Sequence, residues 1–329
     1  LSASDLHQTA TEADGRLERE ERFSEALSGL EEQLADLPSF TEVDRYLLSN
    51  NDIPAEALAK LDTGKAPRSS YLSSDASKIQ VFVLFGLDGV DSSDSVMLVA
   101  LDRVHQKIKL ISLARDSYVF IPEFASFSKL AYSYTWGGAA MAVKNLNYNY
   151  YLNVSDYIAV DFDQLAQIID RIGGVTVNID EDEARYLSNY PNVHVGDCLL
   201  DGETAVSYAR IRKSSATDSD RKRTGRQREV ILSILNTLQT MPLSQYPGFV
   251  RDCLGMCATS FEAETLLTMA AETLGQNYTV EQYFFPEGQV DWWAGLIKEY
   301  FYYVYDLRRA SDRIYRIIYE ELYISGYDD

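Results

Sequence analysis

Residues 78–116 read KIQVFVLFGLDGVDSSDSVMLVALDRVHQKIKLISLARD, and this stretch decides the fold. Residues 79–85 form a nearly continuous apolar run, as expected of a strand buried on both faces. Residues 95–101 and 108–113 are two more runs of the same kind. Outward from there, 137–146 has a helical pattern, 157–160 reads as a strand, 164–172 as a helix and 175–179 as another strand. This alternation predicts a three-layer α/β/α sandwich with a central mixed sheet. Val230, Ile231, Ile234, Leu235 and Leu238 form the apolar stripe of a helix beginning near Gly225. A further helix over 261–274, a late strand over 282–285 and a long tyrosine-rich helix over 291–323 complete the reading.

The residues before 78 are different in character. Phe23, Leu27, Leu30, Leu34 and Leu37 step by 4, 3, 4 and 3, which is one apolar helix face. Ser39 and Glu42 fit a capping box that opens a second helix ending near Asn50 and Asn51, and Pro54 suits the first turn of a third. Residues 63–77, rich in Ser with Gly and Pro, read as a linker. The expected division is a helical N-terminal extension over 1–77, packed as an appendage, and one α/β domain over 78–329.

With 46% hydrophobic and 24% charged residues, the 329-residue chain is not disordered as a whole. No uncharged apolar run reaches the roughly 18 residues of a membrane span. The sequence begins at Leu1 rather than Met, so a mature or trimmed form lacking an N-terminal signal or anchor is expected. A formal net charge of −20 opposes nucleic-acid binding and broad adsorption to anionic membranes. Three cysteines are too few for a disulfide framework. A single bridge is expected, from Cys198 to either Cys253 or Cys257.

Two clusters carry candidate chemistry. Eight basic residues lie within 210–228, Arg210, Arg212, Lys213, Arg221, Lys222, Arg223, Arg226 and Arg228, against Asp218 and Asp220, so the rest of the chain carries −26. Arginine dominates, and its planar fork binds phosphate oxygens bidentately. Arg226 and Gln227 fall in the first turn expected of the helix near Gly225, where a cation is unfavourable unless an anion sits beside it. If 208–212 is extended, Arg210 and Arg212 leave one face while Ile211 points into the core. The second cluster is acidic. Asp88, Asp91 and Asp94 lie between the first two strands, where carboxylates suit a hard cation such as Mg²⁺. Arg115-Asp116 ends the third strand. Together they point to a phosphorylated ligand with a bridging metal. No Gly-x-Ser-x-Gly elbow, Walker loop or histidine-based nucleophile motif is present.

In their order these motifs resemble the LytR–CpsA–Psr (LCP) family of cell-wall glycopolymer phosphotransferases. The resemblance is carried by Gly86-Leu87-Asp88 with Ser93-Asp94-Ser95, by Ser112-Leu113-Ala114-Arg115-Asp116, and by Lys129 with Gly137-Gly138. It continues in Asp170 with Gly173-Gly174, Leu200-Asp201-Gly202, Tyr208-Ala209-Arg210-Ile211-Arg212, and Asp220 through Arg223 to Arg226-Gln227. It covers 78–238 well and the C-terminal third loosely. Ala114 stands where the family usually has Pro, and Lys129-Leu130-Ala131 where it usually has Lys-Ile-Asn.

The resemblance implies an extracytoplasmic, cell-surface enzyme, tethered in its full-length form by an N-terminal transmembrane helix. Such an enzyme moves a glycopolymer, teichoic acid or capsule, from a polyprenyl-pyrophosphate carrier onto peptidoglycan through a phosphodiester. Arg115, Arg210, Arg212, Arg223, Arg226 and Gln227 would hold the pyrophosphate. Asp88 and Asp94 would sit at Mg²⁺ or Mn²⁺, and Asp116 or Asp94 would accept the acceptor's proton. An apolar tunnel would take the tail. The alternative reading is a non-catalytic binding protein for the same lipid-linked precursors or polymer. A DNA-binding regulator is excluded by charge and by the absence of a helix-turn-helix signature.

Overall fold

A computed structural model of the chain describes residues 37–64, 74–89, 93–212, 216–273, 276, 278–286 and 290–319. The stretch quoted above forms three adjacent antiparallel strands, β1 (Ile79–Leu87), β2 (Ser93–Asp102) and β3 (Lys107–Leu113). Two short strands follow, β4 (Tyr118–Ile121) and β5 (Ser126–Lys129), and then helix α1 (Tyr132–Tyr150). Next come β6 (Asp156–Asp161), α2 (Phe162–Arg171), β7 (Val175–Ile179), α3 (Glu181–Tyr186), β8 (Gly196–Leu200), α4 (Gly202–Ala209) and α5 (Ala216–Thr240). The chain continues through α6 (Tyr246–Leu254), β9 (Ala258–Thr259), α7 (Ala263–Thr273) and β10 (Thr279–Phe285). It closes with β11 (Trp292–Ile297), β12 (Tyr300–Tyr305) and α8 (Leu307–Tyr319).

The central sheet has the order β10-β3-β2-β1-β6-β9. β6 runs parallel to β1, and β10 parallel to β3. With β2 antiparallel between β1 and β3, four strands therefore point the same way, and the sheet is mixed. Period-two alternation sorts its side chains. Val83, Phe85, Val96, Leu98, Ile111 and Leu113 face one layer with α1 and α8. Phe82, Met97, Val99, Ile108 and Leu110 face the other, with Ile231, Leu235, Leu266 and Met269 of α5 and α7. Both faces are buried, which is why the runs are apolar rather than alternating. The three-layer α/β/α expectation holds.

A satellite core joins α2, the β7–β8 hairpin, α4 and Val230 of α5. Its tightest contact is at Gly202, where a Cβ would lie 2.1 Å from the Ala166 carbonyl oxygen, so only glycine lets α4 approach α2. In α1, Gly138 adopts φ 60°, ψ −158° and breaks the helix after its first turn.

Before β1, the Ser39–Glu42 capping box is present, but the helix it opens is the single turn Phe40–Val43, followed by a 3₁₀ turn. Pro54 is the N-cap of Ala55–Leu58. Val43 and Leu47 join the main core, and Leu48, Ile53 and Ala57 pack with Ile297 and Tyr302 of the β11–β12 hairpin. The expected helix over 23–37 and most of the expected linker lie outside the described residues.

Two sequence expectations fail. The single helix over 291–323 is instead the β11–β12 hairpin followed by α8. Tyr300 to Tyr305 is an unbroken aromatic and β-branched run, which suits a two-sided strand better than a helix face. The helix expected from Gly225 begins at Ala216, so Arg226 and Gln227 lie in its interior and the helix-terminus argument for an anion lapses.

At the sheet edge opposite the site described below, Lys109 and Asp102 are fully buried and paired at 3.0 Å. Asp102 also accepts from the His105 ring at 2.7 Å, and Lys109 donates to the Ile318 carbonyl near the end of α8. Burial disfavours the Asp102 charge, but hydrogen bonds from His105 and Lys109 outweigh it and hold the carboxyl below its usual range. The associated stability is present at neutral pH and is lost as pH falls through that lowered value. Asp102→Asn removes the carboxylate that pairs with the fully buried Lys109 ammonium at 3.0 Å. It is expected to cost about 3–5 kcal/mol in denaturant unfolding at pH 7. A loss under about 1 kcal/mol would show that the pair does not pin α8.

Candidate functional site

The C-terminal ends of β1, β3, β6 and β10 share one edge of the sheet, the edge where open α/β sheets bind ligands. Asp88 follows β1, Asp94 lies at the start of β2, and Arg115-Asp116 follow β3. Backbone bonds fix the last of these: Ala114 N–H donates to the Phe285 carbonyl, Ala131 N–H to that of Arg115, and Tyr303 N–H to that of Asp116. The loop is thereby pinned by β10, the start of α1 and β12.

Asp94 is the hub. Arg115 Nη1 donates to its Oδ1. The guanidinium groups of Arg212 and Arg223 each approach the same oxygen at 3.7 Å. Asp116 pairs with Lys129 at 2.7 Å and Arg115 at 3.5 Å. Arg223, only 2% exposed, also holds Asp220. Burial opposes the Arg115 charge, yet Asp116, Asp94, Asp220 and Asp88 together hold its pKa above the usual value. Arg212 is pushed the other way, by burial and then by Arg223 and Arg115, so three guanidinium groups crowd one carboxylate. Burial also raises the Asp220 carboxyl, only partly offset by Arg223.

The cluster is not internally satisfied. Arg115 Nε, Arg223 Nε and Nη1, Asp220 Oδ2 and Gln227 Oε1 are buried with no hydrogen-bond partner. Each such atom costs about 1–3 kcal/mol when left unpaired. The three arginine nitrogens are donors that an anion would satisfy, whereas the Asp220 and Gln227 oxygens are acceptors that call for a donor or a cation.

Beneath the cluster, on the α5–α7 side of the sheet, lies a cavity of about 400 Å³. Asp94, Gly86 and Gln227 stand where it meets the polar cluster. Its walls are apolar, including Phe82, Leu110, Ile231, Leu235, Leu266 and Phe249.

Of the nine residues singled out in the sequence, Arg115, Asp94, Asp116, Arg212 and Arg223 come together. Asp88 contributes its field and Gln227 its orphan oxygen. Arg210 and Arg226 do not join. Residues 208–212 are not extended: Arg210 caps the C-terminus of α4 and lies over the Phe162 ring at 4.4 Å, so the shared-face argument fails. Ile211 is fully buried, as expected. Arg226 bonds Glu183 at 2.7 Å and the Ile211 carbonyl at 3.2 Å, which makes it a brace for the segment carrying Arg212. Asp91 and Lys213 lie outside the described residues. The pairing of Arg226 with Glu183 spans 43 residues and left no local signal, whereas Asp220 and Arg223 were legible as an i,i+3 pair.

The expected disulfide is absent. Cys198 is buried in the satellite core with its thiol on the His194 carbonyl at 3.0 Å, while Cys253 and Cys257 line the apolar cavity. The two sites belong to different cores, so no bridge joins them. Unfolded, unreduced protein is expected to titrate three thiols; a count of one would contradict the structure.

A mixed sheet between two helical layers, with a guanidinium–carboxylate cluster at the strand ends and an apolar cavity beneath, defines a three-layer α/β protein with a charged cluster above an apolar chamber. The chain belongs to the LytR_cpsA_psr family, which it matches over residues 51–314. It is 29% identical over 230 residues to the polyisoprenyl-teichoic acid–peptidoglycan teichoic acid transferase TagU of Oceanobacillus iheyensis, spanning 67% of this chain and 69% of that protein. It is 30% identical over 184 residues to the regulatory protein MsrR of Staphylococcus aureus, spanning 53% of this chain and 54% of that one. Among solved structures, TagT bound to LIIa-WTA superposes with a TM-score of 0.62 at 20% identity, covering 78% of this chain and 96% of that one. Bacillus subtilis TagV superposes with a TM-score of 0.60 at 19% identity, covering 73% and 97%. At these identities the structural likeness establishes the shared fold.

Proposed function

We propose that the protein is an extracytoplasmic phosphotransferase that moves a glycopolymer from a polyprenyl-pyrophosphate carrier onto peptidoglycan through a phosphodiester. One observation carries the reading: the apolar cavity is lined at its polar end by Asp94, the carboxylate on which Arg115, Arg212 and Arg223 converge, as suits a ligand with a long hydrocarbon tail and an anionic head. Membership of a family that includes a teichoic acid transferase supports the same reading. Among the described residues no helix is long and apolar enough to cross a membrane.

The chain's residues divide the work. Arg115, Arg212 and Arg223 bind the two phosphoryl groups, and Gln227 orients the head at the cavity mouth. Asp88 and Asp94 would hold Mg²⁺ or Mn²⁺. Mg²⁺ can be held by one or two carboxylates with its shell completed by substrate phosphates and water, and two carboxylates are what Asp88 and Asp94 would offer. When bound, it would neutralise charge on the leaving phosphate.

An acceptor sugar hydroxyl attacks the polymer-side phosphorus. The bond from that phosphorus to the bridging oxygen breaks, and polyprenyl monophosphate leaves. Asp116 takes the hydroxyl proton: Asp94 is assigned to the metal, while Asp116 stands beside the cluster, paired with Lys129 and Arg115. Incubating the protein with a lipid-pyrophosphate-linked polymer, soluble peptidoglycan and Mg²⁺ should yield a phosphodiester-linked product and free polyprenyl phosphate. Tight donor binding without either product would make it a binding protein instead.

A further inference from the structure

On the face of the Arg115–Asp116 loop away from the tail cavity, the structure gathers aromatic side chains around Lys129. The Lys129 ammonium, paired to Asp116, lies 5.9 Å from the Tyr132 ring centroid, 5.8 Å from Tyr300 and 5.3 Å from Tyr302. Tyr46 extends the group, 5.0 Å from Tyr132 and 5.7 Å from Tyr300, and Trp136 backs it, 5.3 Å from Tyr132. Trp136 and Tyr302 are buried, but Tyr46, Tyr132 and Tyr300 are half-buried, and the Arg45 guanidinium lies over the Tyr46 ring at 4.5 Å.

These rings are fixed relative to Asp116. The start of α1, which carries Tyr132, is bonded to the Arg115 carbonyl, and β12, which carries Tyr300, to the Asp116 carbonyl. Tyr46 is held through its own carbonyl by the Ser128 hydroxyl at 2.7 Å, next to Lys129. Asp116 and Tyr300 both add to the burial that lifts the Tyr132 hydroxyl to about 12, so the phenol stays protonated and close to the carboxylate. Aromatic rings with polar rims, set beside a carboxylate and a cation, suit the flat apolar face and hydroxyl edge of a pyranose ring.

We propose that Tyr46, Tyr132 and Tyr300 form the acceptor subsite, which stacks a pyranose ring of the peptidoglycan glycan strand and presents its hydroxyl to Asp116. The assignment of the ligand as the acceptor rests on the transferase reading above. It places donor and acceptor on opposite sides of the Arg115–Asp116 loop, with the tail cavity on one side and the tyrosines on the other.

The test uses each tyrosine changed to Leu, which keeps bulk and removes the ring, and to Phe, which keeps the ring. Folding is checked by thermal melting, and Tyr132 and Tyr300 serve as independent positions. Binding of soluble, uncrosslinked peptidoglycan glycan strands is measured by calorimetry without donor, so this arm does not depend on turnover. The Leu variants are expected to bind the strands at least tenfold more weakly, and the Phe variants within about threefold of the parent. In the transfer assay the Leu variants should raise the acceptor KM by a similar factor and leave donor affinity unchanged. Folded Leu variants that bind strands like the parent, or that weaken the donor instead, would overturn the subsite. A parent that binds strands through these tyrosines but never turns over donor would overturn the transferase reading and leave the glycan subsite standing.

Discussion

Arg212→Lys is expected to lower transfer from a lipid-pyrophosphate donor by about 100-fold, the scale of removing one aligned donor from a charge-stabilising site. The substitution keeps the charge but loses the planar fork that spans two phosphoryl oxygens. Arg212 is half-exposed and sits 3.7 Å from Asp94, crowded by Arg115 and Arg223, so the folded state depends on it little. Stability should stay within about 0.5 kcal/mol of the parent. Arg185→Lys, on an exposed arginine paired with Asp182, is the control and should transfer at the parent rate. Parental activity in Arg212→Lys would remove Arg212 from the phosphate site.

The second large effect concerns the tail. Ile231 projects from α5 into the cavity wall, and Ile231→Trp fills part of the roughly 400 Å³ beneath the arginine cluster. Donors with a long polyprenyl chain are expected to lose at least tenfold in affinity, whereas a short-chain analogue should bind nearly as before. The wall borders open volume, so the larger ring should cost no more than the roughly 1–3 kcal/mol of ordinary overpacking. Equal losses for long and short donors would show that the cavity does not read the tail.

Much of this arrangement was legible before any coordinates. The three apolar runs within 79–113 specify a two-sided sheet, and the carboxylates between them must then emerge at strand ends. Arg115 and Arg223 were recognisable as phosphate-type cations, and both converge on Asp94. What failed was whatever depends on local geometry at a boundary. The two-residue spacing of Arg210 and Arg212 puts them on one face only if the segment is extended, and α4 runs through Ala209 and turns Arg210 onto Phe162. Arg226 looks like its neighbours in sequence, and only the distant Glu183 makes it a brace. The tyrosine-rich segment after residue 291 lacks a clear period of either kind, so its aromatic content was read as helix where packing against Leu48 and Ile53 makes it a hairpin. The aromatic group around Lys129 was invisible because its members come from residues 46, 132 and 300, joined only by the fold.

The most direct measurement is the electron density of a crystal soaked with a long-chain polyprenyl pyrophosphate and Mg²⁺. The account predicts the hydrocarbon between Ile231, Leu235 and Leu266, and phosphate oxygens within hydrogen-bond distance of Arg115, Arg212 and Arg223. Pyrophosphate bound elsewhere, with the cavity lacking hydrocarbon density, would contradict it.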